Sequence, residues 1–75
     1  MASTEREPRF LTLPDVAEIL STSVAQVRAL VKSGEIRSIQ IGGRNQYRIE
    51  NVELEAYIER MYARADAERH AARSD

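Results

Sequence analysis

The chain has 75 residues, of which 43% are hydrophobic and 31% charged, with a formal net charge of -1 and no cysteine. A chain of this length buries only about 60% of its unfolded surface, so we expect one thin core rather than two domains. The lack of cysteine excludes a disulfide framework and a thiolate zinc site. No apolar run approaches the ~20 residues of a membrane-spanning helix, and we expect a cytoplasmic protein.

The first helix is predicted to follow a polar lead. Residues 1–9 carry no apolar period and predict a disordered segment, with order beginning at Phe10. Thr12 is a candidate N-cap, Asp15 stands three residues later as in a capping box, and Pro14 fits the first turn, where no amide donor is missed. The apolar residues recur at helical spacing at Leu13, Val16, Ala17 and Leu20.

A second short helix is predicted after residues 21–23, which are Ser-Thr-Ser. Hydroxyl side chains compete for backbone hydrogen bonds and favour turns and caps, so this run separates two helices. Ser23 is the candidate N-cap, Gln26 is placed to cap back, and Gly34 is placed to end the helix in the left-handed conformation. The apolar face consists of Val24, Val27, Leu30 and Val31. The short polar joint is typical of a helix-turn-helix.

After Gly34 the apolar period changes from helical to alternating, which predicts a β-hairpin with residues 42–45 as its turn. Because two strands alone are marginal in water, we expect one face to lie on the helices. That inward face is predicted to comprise Ile39, Ile41, Tyr47 and Ile49. The free face and the tip are predicted to carry Arg44, Asn45, Gln46 and Arg48.

A third helix is predicted to begin at residues 50–51, where acidic residues suit the helix dipole. Its inward stripe is predicted to comprise Val52, Leu54, Tyr57, Ile58 and Met61, with Tyr62 as a further candidate. Residues 63–75 have only alanine as apolar content, so we expect an exposed helix that frays. The predicted fold is a small, mostly helical α+β domain over residues 10–62, a winged helix-turn-helix with element order α-α-β-β-α.

The charges are separated along the chain. Residues 24–49 carry five cations against Glu35 alone, a local charge of +4, whereas residues 50–59 carry four acids and no cation, a local charge of -4. Affinity for a polyanion follows the local field rather than the net charge, so the basic segment is compatible with nucleic acid. The alternative is a surface of mutual salt bridges with no partner.

Five segments carry a family resemblance: Leu-Pro-Asp-Val-Ala-Glu-Ile-Leu at 13–20, residues 23–31, Lys-Ser-Gly-Glu-Ile at 32–36, Ile-Gly-Gly-Arg at 41–44 and Tyr-Arg-Ile at 47–49. Over residues 10–60 the chain resembles the excisionase-type, MerR-like winged helix-turn-helix family. The resemblance implies a bacterial or phage DNA-binding protein, with the second helix in the major groove and the hairpin wing on the minor groove or backbone. Members often carry a Tyr-Arg or Arg-Trp pair midway along the second helix, where this chain has Arg28 and Ala29.

The predicted DNA contacts begin with the second helix, whose outward residues meet base edges in a helix-turn-helix. Arg28 can pair with guanine or contact phosphate, and Gln26 can pair with adenine or serve only as a cap. Lys32 can contact phosphate or complement the helix dipole. The full set of predicted contacts in this helix is Ser23, Ala25, Gln26, Arg28 and Lys32.

The hairpin supplies the other predicted contacts. Arg44 at the turn fits the negative potential of a narrow minor groove, with Asn45 and Gln46 beside it. Arg48 is predicted to bind phosphate. Arg37 is a further candidate, with a pair to Glu35 or to the third helix's glutamates as its alternative.

No catalytic constellation is found in the sequence, so we expect no enzyme activity, no cofactor, no metal and no small-molecule effector. The leading hypothesis is a small transcriptional regulator that binds double-stranded DNA in the nucleoid. The alternatives are an excisionase, that is, a recombination directionality factor that bends DNA, and a protein-interaction adaptor. Because one short helix and a wing read few base pairs, we expect a monomer in solution that self-associates cooperatively on DNA.

Overall fold

The computed structural model describes residues 9–43 and 46–73. In chain order the elements are β1 (Phe10–Leu11), α1 (Leu13–Ile19), α2 (Val24–Ser33), β2 (Ile39–Gln40), β3 (Tyr47–Glu50) and α3 (Asn51–Arg73). The small, mostly helical α+β class is confirmed. The sheet has three strands rather than the two predicted from the sequence.

The sheet is antiparallel, with β3 in the centre and β1 and β2 on either side. The unpredicted strand β1 pairs Phe10 with Glu50 and Leu11 with Ile49. A two-residue strand is too short to show an alternation of apolar and polar residues. Its pairing partner lies about forty residues away in sequence, so local patterns do not reveal it either. This third strand supplies what an isolated hairpin lacks for stability in water.

The inward face predicted for the hairpin is wrong at Ile39 and Ile41, two of its three isoleucines. Ile39 lies opposite Arg48 and Gln40 lies opposite Tyr47, and residues directly opposite each other share a face of the sheet. Ile39 is 48% exposed and Ile41 is 49% exposed, so both lie on the outer face. The inward assignment holds for Ile49, which is fully buried, and for half-buried Tyr47.

The N-caps predicted at Thr12 and Ser23 are confirmed, whereas the reciprocal cap predicted for the Gln26 side chain is not seen in the described ranges. The Thr12 hydroxyl accepts a hydrogen bond from the Asp15 amide at 3.2 Å, and the Asp15 carboxylate accepts one from the Thr12 amide at 3.1 Å, which completes the capping box. At α2 the Ser23 hydroxyl accepts from the Gln26 amide at 3.1 Å. Gly34 ends α2 with φ +87°, a conformation that costs glycine little because it has no Cβ.

The core lies where α1, α2, the sheet and the first turns of α3 meet. Its buried members are Leu11, Leu13, Val16, Ala17, Val27, Val31, Ile36, Ile49 and Leu54. Half-buried Tyr57 and Ile58 of α3 pack against this cluster. The predicted stripe of α3 is wrong at Val52, which is 65% exposed because it lies on the side of the first turn away from buried Leu54. It is also wrong at Tyr62, which is 70% exposed because the helix has left the core by that point.

The two ends of the chain differ in what they contact. Of the predicted lead, only Arg9 is described, and its carbonyl accepts from the Asn51 amide at 2.7 Å. At the other end α3 continues to Arg73, with the side chains of residues 62–71 exposed. None of the helices in the described ranges combines the length and apolar character needed to cross a membrane.

Candidate nucleic-acid interface

The buried residues of α2 determine which of its faces points to solvent. Val27 and Val31 point inward and are buried. At 100° per residue, Ala25 and Ala29 point away from the core, and both are exposed. Gln26 and Lys32 flank them and are also exposed. The face that α2 turns to solvent therefore has two alanines at its centre and polar side chains around them.

Arg28 lies on the flank of α2 rather than at the centre of this face, and it is half-buried. It makes no ion pair with another described residue. An arginine side chain so placed packs its aliphatic stem against the protein. Its guanidinium N–H groups are not paired with any carboxylate in the described residues. Arg28 can therefore extend its fork towards a ligand from the side of the helix.

The start of α2 is held by its cap. Ser23 already accepts the Gln26 amide through its hydroxyl oxygen, but its own proton remains able to donate. The Gln26 side chain makes no hydrogen bond within the described ranges, so only the backbone of Gln26 takes part in the cap. Both side chains are exposed beside Ala25.

Arg37, on the loop after α2, pairs with Glu53 of α3 at 3.4 Å, which is one of the alternatives considered from the sequence. The two side chains are 83% and 25% exposed. Solvent-exposed pairs of this kind contribute about 0 to 1 kcal/mol, so a phosphate could compete for Arg37.

The hairpin places Arg48 on the outer face of the sheet, opposite Ile39. Its guanidinium donates to the Tyr47 carbonyl at 2.9 Å, and the side chain is half-buried. Gln46 is exposed where β3 begins, and its carbonyl accepts from the Ile41 amide at 2.9 Å. Arg44 and Asn45, predicted at the tip, lie outside the described residues.

Two arginines that the sequence did not single out organise the surroundings. Arg9 pairs with Glu50 at 2.7 Å, which joins the start of β1 to the end of β3. Arg60 of α3 donates to the Glu35 carbonyl at 2.6 Å and lies over the Tyr57 ring at 6.0 Å. Arg60 thereby holds the loop after α2 against α3. Neither contact has a local sequence signal, because the partners are 41 and 25 residues apart.

In chemical terms the described surface offers hydrogen-bond donors and small apolar groups. No set of three or more His, Asp or Glu side chains is arranged to hold a metal ion within residues 9–43 and 46–73. The described residues likewise contain no buried charged or polar side chain. The outward side of α2 can therefore donate hydrogen bonds to acceptor groups of a partner, and its alanines can contact apolar groups such as methyls.

A family model described as a helix-turn-helix domain matches residues 10–62, which is more than two thirds of the chain. Comparison with curated proteins and with solved structures found no match. The family match confirms the resemblance drawn from the sequence motifs, and it covers α1, the joint, α2, the sheet and the first half of α3. The chain belongs to the helix-turn-helix domain family, and this membership indicates that it binds DNA.

Proposed function

We propose that the protein is a small transcriptional regulator that binds specific sites on double-stranded DNA, with α2 in the major groove. The proposal is supported by the exposed outward side of α2. The Ser23 cap fixes where this helix starts, and the buried residues Val27 and Val31 fix which side faces solvent. In a helix-turn-helix, the residues that this side presents are those that reach base edges.

The predicted polar contacts of α2 have distinct roles in this proposal. Arg28 reads guanine from the flank of α2, and Gln26 reads adenine through its free amide. Ser23 and Lys32, at the two ends of α2, bind the phosphates that border the groove.

The hairpin acts as a wing beside α2. Arg44 and Asn45 enter the minor groove, and Gln46 and Arg48 contact the backbone. Arg37 exchanges Glu53 for a phosphate, which is possible because their pair is exposed.

The first test is the salt dependence of binding to a labelled duplex, followed by fluorescence anisotropy. Four to six phosphate contacts give a slope of log affinity against log salt of roughly -4 to -5. A protein-interaction adaptor on the same fold would bind duplex DNA weakly and with little slope. Absence of salt-dependent duplex binding would overturn the proposal.

The second test assigns roles to individual arginines by selecting binding sites from a random library. Arg28→Ala is expected to cost about 1 to 3 kcal/mol and to relax preference at one or two positions. Arg44→Ala is expected to weaken binding on all sequences alike. Arg69→Ala is the matched control, since Arg69 lies on the exposed part of α3 and pairs with Asp66. An unchanged site preference after Arg28→Ala would remove its proposed role.

The alternative is a role in site-specific recombination, which the resemblance of the sequence motifs to excisionases implies. Genomic footprints separate the two roles, because a regulator occupies promoters and an excisionase occupies the ends of an integrated element.

We also propose that the protein is a monomer in free solution and binds neighbouring sites on DNA cooperatively. Stable dimers in ultracentrifugation at micromolar concentration would contradict this.

A further inference from the structure

The centre of the outward face of α2 is apolar, and this has a consequence for which bases it can read. Ala25 and Ala29 are one helical turn apart, both exposed, and both directed away from the buried stripe of Val27 and Val31. The polar residues of this helix stand beside the alanines and not between them. A helix placed in the major groove on this face therefore brings two methyl groups nearest the bases.

The small size of these side chains also sets how close the helix can approach. A long side chain at either position would hold the backbone away from the groove floor, whereas a methyl group allows close contact. Among the base edges of the major groove, only thymine presents an apolar group, its C5 methyl, and alanine is one of the side chains suited to contact it. From this geometry we infer that Ala25 and Ala29 form a thymine-reading pair, so that the protein's sites carry thymine at the positions they cover.

The helix geometry limits how far apart these thymines lie. Four residues of α-helix rise about 6 Å, while successive bases of B-DNA are about 3.4 Å apart. Two methyl groups separated by one turn therefore cover at most about two base steps. We expect two thymines, on the same strand or on opposite strands, within three consecutive base pairs. This inference rests on the proposed function, because it needs α2 to enter the major groove.

The competing explanation for these residues is purely local. Alanine is the best helix former, and a solvent-facing alanine stabilises a short helix without touching any partner. The two explanations differ in what happens when the DNA is altered and the protein is left alone. A helix-forming role is indifferent to the thymine methyl group, whereas a reading role is not.

The experiment uses the full chain and a duplex chosen by selection from a random library. Each selected thymine is replaced in turn by deoxyuridine, which removes the C5 methyl and keeps the base pair. At the two positions under α2, affinity is expected to fall about threefold to fivefold for each methyl removed, the factor that follows from exposing one methyl-sized apolar group. Deoxyuridine outside those positions is the control on the DNA side and is expected to change affinity by less than about twofold.

Protein variants then connect each thymine to its alanine. In Ala25→Gly and Ala29→Gly, the loss caused by deoxyuridine at the matching position is expected to disappear, since the methyl group has no partner left. Ala67→Gly is the matched control, because Ala67 is exposed on α3 and carries the same helix-propensity cost. In that variant the deoxyuridine effect should persist unchanged.

The outcomes separate this inference from the function on which it rests. Salt-dependent binding to selected sites with no deoxyuridine effect, or sites with no thymine under α2, overturns the thymine-reading pair and leaves DNA binding intact. A deoxyuridine effect of the same size in the wild-type protein and in both glycine variants also overturns it. Failure to bind any duplex overturns the proposed function and this inference together.

Discussion

Truncating Ile36 is expected to remove most of the stability of the domain, whereas the same truncation at Ile39 is expected to remove little. Ile36 is fully buried in the loop between α2 and β2, and Ile39, three residues later, is 48% exposed. Both changes to alanine delete the same three carbon atoms. The pair therefore isolates burial from the chemistry of the substitution.

The magnitudes follow from the burial of each side chain. Three carbons at about 0.8 kcal/mol each give a transfer loss of about 2.4 kcal/mol for Ile36→Ala, and the cavity brings the expected loss to about 3 to 4 kcal/mol. At Ile39 about half of that transfer loss applies and no cavity forms, so the expected loss is about 1 kcal/mol. A core of this size supplies about 3 to 5 kcal/mol in total, so Ile36→Ala should retain at most about 2 kcal/mol of stability at 25 °C.

The assay is urea unfolding followed by far-ultraviolet circular dichroism, with the free energy of unfolding extrapolated to water. If Ile36→Ala has no folded baseline, Ile36→Val replaces it, with an expected loss of about 1 kcal/mol against roughly half of that for Ile39→Val. Equal losses at the two positions, or a larger loss at Ile39, would refute the reasoning from burial and with it the placement of the Ile39 side chain on the outer face of the sheet.

Three further predictions use the same measurement. Gly42→Ala is expected to cost about 1 kcal/mol, because Gly42 has φ +71°, whereas Gly43→Ala should be neutral or slightly stabilising, since an added Cβ would meet only the Gln46 side chain at 4.0 Å; similar losses at both positions would contradict this. Ser23→Ala is expected to cost about 1 kcal/mol through loss of the α2 cap, with Ser23→Asn close to wild type; a Ser23→Ala variant as stable as the wild type would show that the cap does not matter. Glu53→Gln should change the free energy of unfolding by less than about 1 kcal/mol, because its ion pair is exposed, and a larger loss would mean that the pair is more than a surface contact.

The parts of the fold that the sequence predicts are those with local causes. The capping box at Thr12 and Asp15, the cap at Ser23 and the left-handed end at Gly34 each depend on residues within one turn of helix, and each is confirmed. Strand β1 depends instead on pairing with β3, far away in the chain, and no pattern within two residues can reveal such a contact.

The error at the hairpin has a different physical cause. Residues 42–45 link the two strands, and Ile41 pairs with Gln46 and Ile39 with Arg48. The alternation of side chains then places both isoleucines on the face opposite Tyr47 and Ile49, since a shift of one residue in register reverses every side chain. The predicted turn length already contained this information, whereas apolar composition alone suggested one common face.

The exposure of the candidate residues on α2 was predictable from the sequence, whereas the contacts around them were less so. The buried stripe at Val27 and Val31 fixes which side of α2 faces outward, so Ala25, Gln26 and Lys32 could be assigned from helical spacing alone. The half-burial of Arg28 depends on its distance around the helix from that stripe and on what packs beside it. The contact of Arg60 with the loop after α2 depends on the path of α3, which local patterns do not encode.

The thin core has a consequence for how stability and DNA binding are connected. Ile36, Ile49 and Leu54 are each buried to within about one per cent, and they come from the loop after α2, from β3 and from α3. One cluster therefore holds α2, the hairpin and α3 together. The described residues contain no second core that could preserve part of the interface when this cluster is weakened. Core substitutions should then reduce DNA affinity only in proportion to the folded fraction, with the salt slope and the site preference of the folded molecules unchanged.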